Sequence, residues 1–269
     1  TVRTIGEHSM AASDFAKEIP EDQVKPKLTI GMPVHNGENF LDEALSTLLN
    51  QSFTDFELII SDNASTDDTE NIVRRHMCND QRVKYQRHTE NIGAIGNFNC
   101  LVDLASGEFF KWASHDDVCD SEFLHECIAA LENCPDALWC HCESDQIDAE
   151  GNSWLERMPD DDEEIEIDQD GRRSWKGIPR EHHAASSPSQ RFAGVLLGTR
   201  WCVDSYGVFR TEALRKTRML QQVYGSEKVL MGELSLLGKM VHVPKLLFRQ
   251  RVHEHASSYR DDAEAQRLF

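Results

Sequence analysis

Two adjacent aspartates, Asp116 and Asp117, close the run FFKWASHDD, residues 109–117, where an apolar strand gives way to a polar turn. Neighbouring carboxylates repel each other, so a fold that sets them at a strand end must offset the repulsion. A divalent cation would do so, and Mg²⁺ is usually held by one or two carboxylates together with substrate phosphates. Spacing alone equally allows two solvated aspartates opening a helix. Other polar side chains follow apolar runs in the same way: Pro33, His35, Asn36 and Glu38 around the end of LTIGMPV, Asp62 after FELII, and Asn91 after VKYQ.

These ends need regular elements to position them. Residues 28–34 read as a strand. The segment after it sets Phe40, Ala44 and Leu48 beside Leu41, Leu45 and Leu49, which is helical spacing. Asn39 with Asp42 suits that helix's N-terminus. Residues 56–60 form a second strand, and Ser65 with Asp68 has capping-box spacing for a helix through Ile72 and Val73. A third strand, 83–86, leads to a helix stopping at Gly107, and the fourth strand carries the aspartates. Ser121 would cap a helix over 123–131, and 137–142 makes a fifth strand. Such alternation predicts an α/β fold, a mostly parallel sheet flanked by helices. Ligands of such sheets bind outside the carboxyl ends of the strands.

After about Gly151 the rhythm breaks. Residues 151–187 form a long acidic insertion, densest at 160–170, which reads as irregular and mobile. Helices are expected around 190–197, from Thr211 and over 226–237, with strands near Val241 and over 246–251. This divides the chain into a flexible extension (1–26), a first half (27–150), the insertion (151–187) and a second half of the same domain (188–269).

The net charge of −19 argues against nucleic acid or an anionic membrane surface as the main partner. No apolar run approaches the roughly 18–20 residues of a membrane span, and the first residues lack a secretory h-region. A chain starting at Thr1 reads as a fragment, with Met10 as a candidate native start. The eight cysteines contain no Cys-x-x-Cys pair and sit among apolar neighbours, as free core thiols in a reducing cytosol would.

Dinucleotide, P-loop and Gly-x-Ser-x-Gly signatures are absent. The strings LTIGMPVHNGENFL, FELIISDNASTDDT, Asn91-Ile92-Gly93 and the Asp116-Asp117 turn together resemble the family 2 glycosyltransferases, over roughly residues 27–258. The resemblance implies the nucleotide-sugar-binding GT-A fold, with 27–150 as its nucleotide half and 188–269 as its acceptor and catalytic half. It places Pro33, His35, Asn36, Glu38, Asp62, Asn91 and Asp116 in the nucleotide site. A Mg²⁺ or Mn²⁺ ion would be held by Asp116, Asp117 and His253, with Arg251 in support. The family's Asp-x-Asp motif maps to Ser114-His115-Asp116, so a serine replaces its first acid.

By the same resemblance the general base is the acid opening the helix at 226–237, here Glu227, with Glu233 as second candidate. Trp201, Asp204 and Tyr206 fall on the acceptor side, and the tail after Arg249, including His255, would act as a lid. The implied reaction is a single inverting displacement, moving a sugar from a nucleotide-diphospho-sugar, by default UDP-linked, to a carbohydrate or lipid-linked carbohydrate hydroxyl. A cytoplasmic location follows, with peripheral attachment at the inner membrane face as a compatible variant. Arg200-Trp201 lacks the Gln-x-x-Arg-Trp context of processive synthases, so one sugar is added per encounter. A nucleotidyltransferase would need a Gly-rich, basic loop after the first strand, and 33–37 offers none. A sugar-nucleotide-binding module without turnover remains open, because Ser114 and Glu227 both depart from the family pattern.

Overall fold

Leu28–Val34 forms the first strand, β1, with every residue buried, and the computed structural model describes residues 25–169, 171, 173–175, 183–198 and 203–254. The elements that follow are α1 (Leu41–Leu49), β2 (Phe56–Asp62), α2 (Thr69–Asn79), β3 (Val83–Arg87), α3 (Gly93–Leu104) and β4 (Phe109–Trp112). Next come β5 (Val118–Cys119), α4 (Phe123–Asn133), β6 (Ala137–Ile147), α5 (Trp154–Arg157), β7 (Ile165–Ile167) and β8 (Arg173–Trp175). The rest are α6 (Pro188–Gly198), a 3-10 turn at Val203–Tyr206, β9 (Val208–Arg210), α7 (Thr211–Leu214), α8 (Ser226–Leu237) and β10 (Lys239–Arg251).

The main sheet has the order β3-β2-β1-β4-β9-β6-β10-β5. β1 pairs in parallel with both β2 and β4, so successive strands leave β1 in opposite directions. That reversal opens a crevice beyond the strand ends. Alternation along the strands divides the core between two faces. Leu28, Ile30, Met32 and Val34 meet buried residues of α1, α2 and α4, whereas Phe110 and Trp112 pack with α3, α6 and α8.

The first-half elements lie where the periodicity predicts them. Their starts are built differently, because none of the three expected side-chain caps forms. The Ser65 hydroxyl instead accepts the Asn36 N–H (2.9 Å), and Asp67 accepts from Thr69 (3.1 Å). At α4, Asp120 rather than Ser121 accepts the Glu122 N–H (3.1 Å). Part of 151–187 is also regular, which corrects the expectation of an irregular loop there: α5 is followed by the antiparallel β7–β8 hairpin. The two late strands are one, β10, whose pairing with β6 slips between Val243 and Leu246, beside Pro244. Proline has no N–H to give the ladder.

β5 and β9 have two and three residues and are antiparallel to their neighbours. Gly207 precedes β9, and a Cβ there would stand 2.3 Å from the Cys140 carbonyl oxygen. Backbone cannot yield as a flexible side chain does. Gly207→Ala should therefore lower stability by about 1–3 kcal/mol. Urea unfolding would check this, and an unchanged midpoint would contradict the close approach.

Candidate active site

The rim of the crevice begins with two loops bound to each other. Asn36, with φ 55°, accepts the Thr66 N–H at 2.8 Å. Gly37 N–H reaches the Thr69 hydroxyl at 2.9 Å. Glu38 N–H donates to Asp67 at 2.9 Å, while the Glu38 carboxylate accepts the Asp68 N–H at 3.0 Å. The Asn36 and Glu38 side chains thus hold the loop after β2 in place. Pro33 is buried within β1 and His35 is exposed at its end. A Cβ on Gly37 would meet the His115 ring at 2.9 Å, so the loop rests against the aspartate turn.

Asp62 is fully buried at the end of β2. It accepts the Tyr85 hydroxyl (2.6 Å) and the Ser65 N–H (2.8 Å), with Arg87 at 3.3 Å. Asn91 stands opposite, its amide 3.5 Å from His35 Nε2. Buried Asn63 fixes that spot: it donates to Asn91 (2.8 Å) and accepts the Ile92 N–H (2.8 Å). In the sequence Asn63 stands beside Asp62 among the polar strand ends, with no role of its own to read there.

At the end of β4 the two aspartates diverge. Asp116 accepts a short hydrogen bond from the Ser114 hydroxyl, and its other oxygen lies 3.0 Å from His253 Nε2. Asp117 turns inward and accepts the Arg251 N–H at 2.9 Å. Burial pushes the Asp117 carboxyl well above the usual range and the Asp116 charge adds to this. The Arg251 N–H and the charges of Lys111 and Arg251 act the other way.

Arg251 is buried beneath the turn. It donates to the Asp116 carbonyl (2.9 Å), to the carbonyls of Asp148 (3.1 Å) and Ala149 (3.0 Å), and to Glu43 (2.6 Å). Phe40 packs between the Arg251 guanidinium, 4.8 Å from its ring centre, and the His253 ring at 4.7 Å.

On the other wall Tyr206 ends the 3-10 turn and stacks on Phe248 at 6.1 Å. Burial, followed by the charges of Asp117, Asp116 and Glu227, holds its phenol well above its ordinary value, against the Ser114 hydroxyl. Tyr206 therefore joins both halves of the site. Asp204 is buried 3.7 Å from His141. Glu227 is exposed in the first turn of α8, where a carboxylate is favoured by the helix dipole. Glu233 is engaged by the Arg218 N–H (2.9 Å) and guanidinium. Trp201, Cys202 and His255, with the rest of the expected lid beyond Glu254 and the extension before Lys25, lie outside the described residues.

Asp116 and His253 set an oxygen and a nitrogen donor side by side. No group of three or more His, Cys, Asp or Glu side chains suited to a metal ion occurs among the described residues. Two protein donors fit a cation completed by substrate phosphates, and do not fit a closed structural site. The described cysteines are thiols rather than disulfides. Burial pushes the thiols of Cys127 and Cys142 well up, and that of Cys119 to about 11, as inert core residues require. Among the described residues no helix is long and apolar enough to cross a membrane.

Residues 29–216 match glycosyl transferase family 2. The chain is 27% identical over 208 residues to the GalNAc(5)-diNAcBac-PP-undecaprenol beta-1,3-glucosyltransferase of Campylobacter jejuni, covering 76% of this chain and 58% of that protein. It spans less than two thirds of such curated relatives. Among solved structures, S. aureus TarS 1-349 in complex with UDP-GlcNAc superposes with a TM-score of 0.63 at 18% identity, over 86% of this chain and 60% of that one. The mannosyltransferase PcManGT of Pyrobaculum calidifontis, in complex with GDP-Man and Mn2+, gives 0.58 at 15%, over 87% and 59%. These two likenesses show the same α/β architecture, the GT-A fold. With its strand order, its polar strand ends and a match across most of its length, the chain belongs to glycosyl transferase family 2.

Proposed function

We propose that this chain transfers one sugar from a UDP-linked donor to a hydroxyl of a carbohydrate or lipid-linked carbohydrate acceptor, with inversion, by a single displacement. The observation that carries the reading is the meeting of the two halves at one place. Asp116 and His253 touch on the donor side, and Tyr206 pairs with Ser114 of the same turn while the charges of both aspartates and of Glu227 act on its phenol. UDP-GlcNAc in the TarS complex and the lipid-linked glycan in the name of the Campylobacter relative support the choice of donor and acceptor class. Attachment to the inner face of a membrane fits such an acceptor.

The residues divide the work as follows. His35 and Asn91 border the base pocket and Asp62 closes it from within, while Pro33, Asn36 and Glu38 shape its loop. Asp116 and His253 would hold a divalent cation with the donor diphosphate, and Asp117 keeps their turn in place from inside. Bound there, Mg²⁺ or Mn²⁺ would stabilise charge on the leaving diphosphate. Glu227 takes the proton of the attacking hydroxyl. Asp204, Tyr206 and Trp201 belong to the acceptor side, and the segment after Arg249 closes over the donor.

Inversion needs one base and no second nucleophilic carboxylate, which matches the single exposed acid at the start of α8. Glu227→Gln should reduce transfer by about 10²–10⁴-fold while UDP affinity stays within threefold of the wild type. Turnover within tenfold of normal would remove Glu227 from the role.

A second experiment addresses the cation and the binding-only alternative. With a panel of sugar nucleotides, nucleotide release should occur with one donor, stop on chelation and return with Mn²⁺. Asp116→Asn should raise the Mn²⁺ concentration needed at least tenfold. Release unaffected by chelation would sink metal assistance, whereas tight nucleotide binding without release from any donor would favour the module without turnover.

A further inference from the structure

Lys111 is a cation that the transfer chemistry does not ask for. It is the third residue of β4 and is fully buried, on the α4 side of the sheet. Its ammonium donates to the main-chain carbonyl of Tyr206. It also stands over the rings of Phe123 and Phe248, 4.5 Å and 5.4 Å from their centres. An apolar chain of similar length would fill that space without the desolvation cost of a charge, so a use for the ammonium is to be sought.

The group it holds gives the use. Tyr206 stacks on Phe248 with 20° between the rings, so Lys111, Phe248 and Tyr206 form one packed block. The Tyr206 phenol pairs with the Ser114 hydroxyl of the aspartate turn and lies within electrostatic reach of Asp117, Asp116 and Glu227. Gly207, the next residue, packs so tightly on β6 that a side chain there would meet the Cys140 carbonyl oxygen at 2.3 Å, so the backbone after Tyr206 lies directly against that strand. Lys111 from below and β6 from the side therefore fix where the Tyr206 ring can be. The Lys111 charge also acts on Asp117, which is buried across the same space.

We propose that Lys111 is a positioning residue for transfer: by holding the Tyr206 carbonyl it sets the phenol against Ser114 at the aspartate turn, and so fixes the spacing of donor and acceptor sides. This rests on the transferase reading above and concerns a residue outside the binding surface. Lys111 acts only through Tyr206 and the turn, so its effect should fall on turnover and not on donor binding.

A double-mutant cycle on the full chain tests this. Lys111→Met keeps the length and the ring contacts but has no N–H to give. It should lower kcat at least tenfold, with donor KM and UDP Kd unchanged within threefold. In a Tyr206→Phe background the same substitution should cost less than threefold, because the phenol it positions is gone. Lys111→Arg, which retains donors for the carbonyl, should keep kcat within threefold of normal, and this variant decides the matter if Lys111→Met does not fold. Equal losses in both backgrounds, a kcat unchanged in Lys111→Met, or a failed Lys111→Arg that is folded by circular dichroism would overturn the assignment while the transferase reading stands. A wild-type chain that releases nucleotide from no donor would overturn the transferase reading and, with it, any role of Lys111 in transfer.

Discussion

Everything at this site depends on keeping two adjacent carboxylates at the buried end of a strand. Arg251 is the main reason they stay there. Its N–H meets the Asp117 carboxylate, its Nε meets the Asp116 carbonyl, and its remaining donors reach α1 and the turn after β6. One side chain from the end of β10 thus ties the aspartate turn to two distant parts of the chain. Removing one partner from a buried charge arrangement costs roughly 3–5 kcal/mol, because the remaining charge is left uncompensated. The same guanidinium flanks Phe40, whose opposite contact is His253, so the position of His253 depends on it as well. Arg251 faces the interior, and the rim is left to Asp116 and His253.

A second constraint is reciprocity between the loops after β1 and β2. Glu38 N–H donates to Asp67 while the Glu38 carboxylate accepts from Asp68, and Asn36 both donates to Ser65 and accepts from Thr66. Each loop satisfies backbone groups that the other exposes, which the end of a strand otherwise leaves to water. The pocket edge is therefore formed before any ligand arrives, and less ordering entropy opposes binding. The polar residues of these loops are a framework first.

The first half of the fold was legible because each strand there is a whole apolar run followed at once by polar residues. β1 and β2 are buried throughout and announce themselves. The second half was less so for a physical reason. β5 and β9 have too few residues to carry a period, and they exist only because β10, β4 and β6 stand ready to pair with them. The polar end of β6, Glu143 to Gln146, reads as loop until β10 runs beside it. Side-chain caps failed likewise: Ser65 has a better partner in Asn36, 29 residues away, than in its own helix. Asp116, Glu227 and His253 were visible as residue types at element ends. Lys111, the link from Asn63 to Asn91 and the inward role of Arg251 were not, since each is defined by a contact that no local pattern encodes.

The serine at position 114 is best understood through that geometry. In the family pattern this place holds an acid, which here would stand beside Asp116 and near Asp117 in a buried turn. Three carboxylates would need more than one arginine and one lysine to offset them. A hydroxyl instead donates to Asp116 and faces the Tyr206 phenol. That replaces a repulsion by a hydrogen bond and removes one charge from the donor side. In the proposed reaction it also narrows what could hold a cation, because the protein's own contribution would fall to Asp116 and His253. On that reading substrate phosphates would supply more of the coordination, and cation and donor would bind together rather than in sequence. The positions of Lys111 and Tyr206 belong to the same account: with fewer charges fixing the turn from the solvent side, its placement relies on the packed block beneath it.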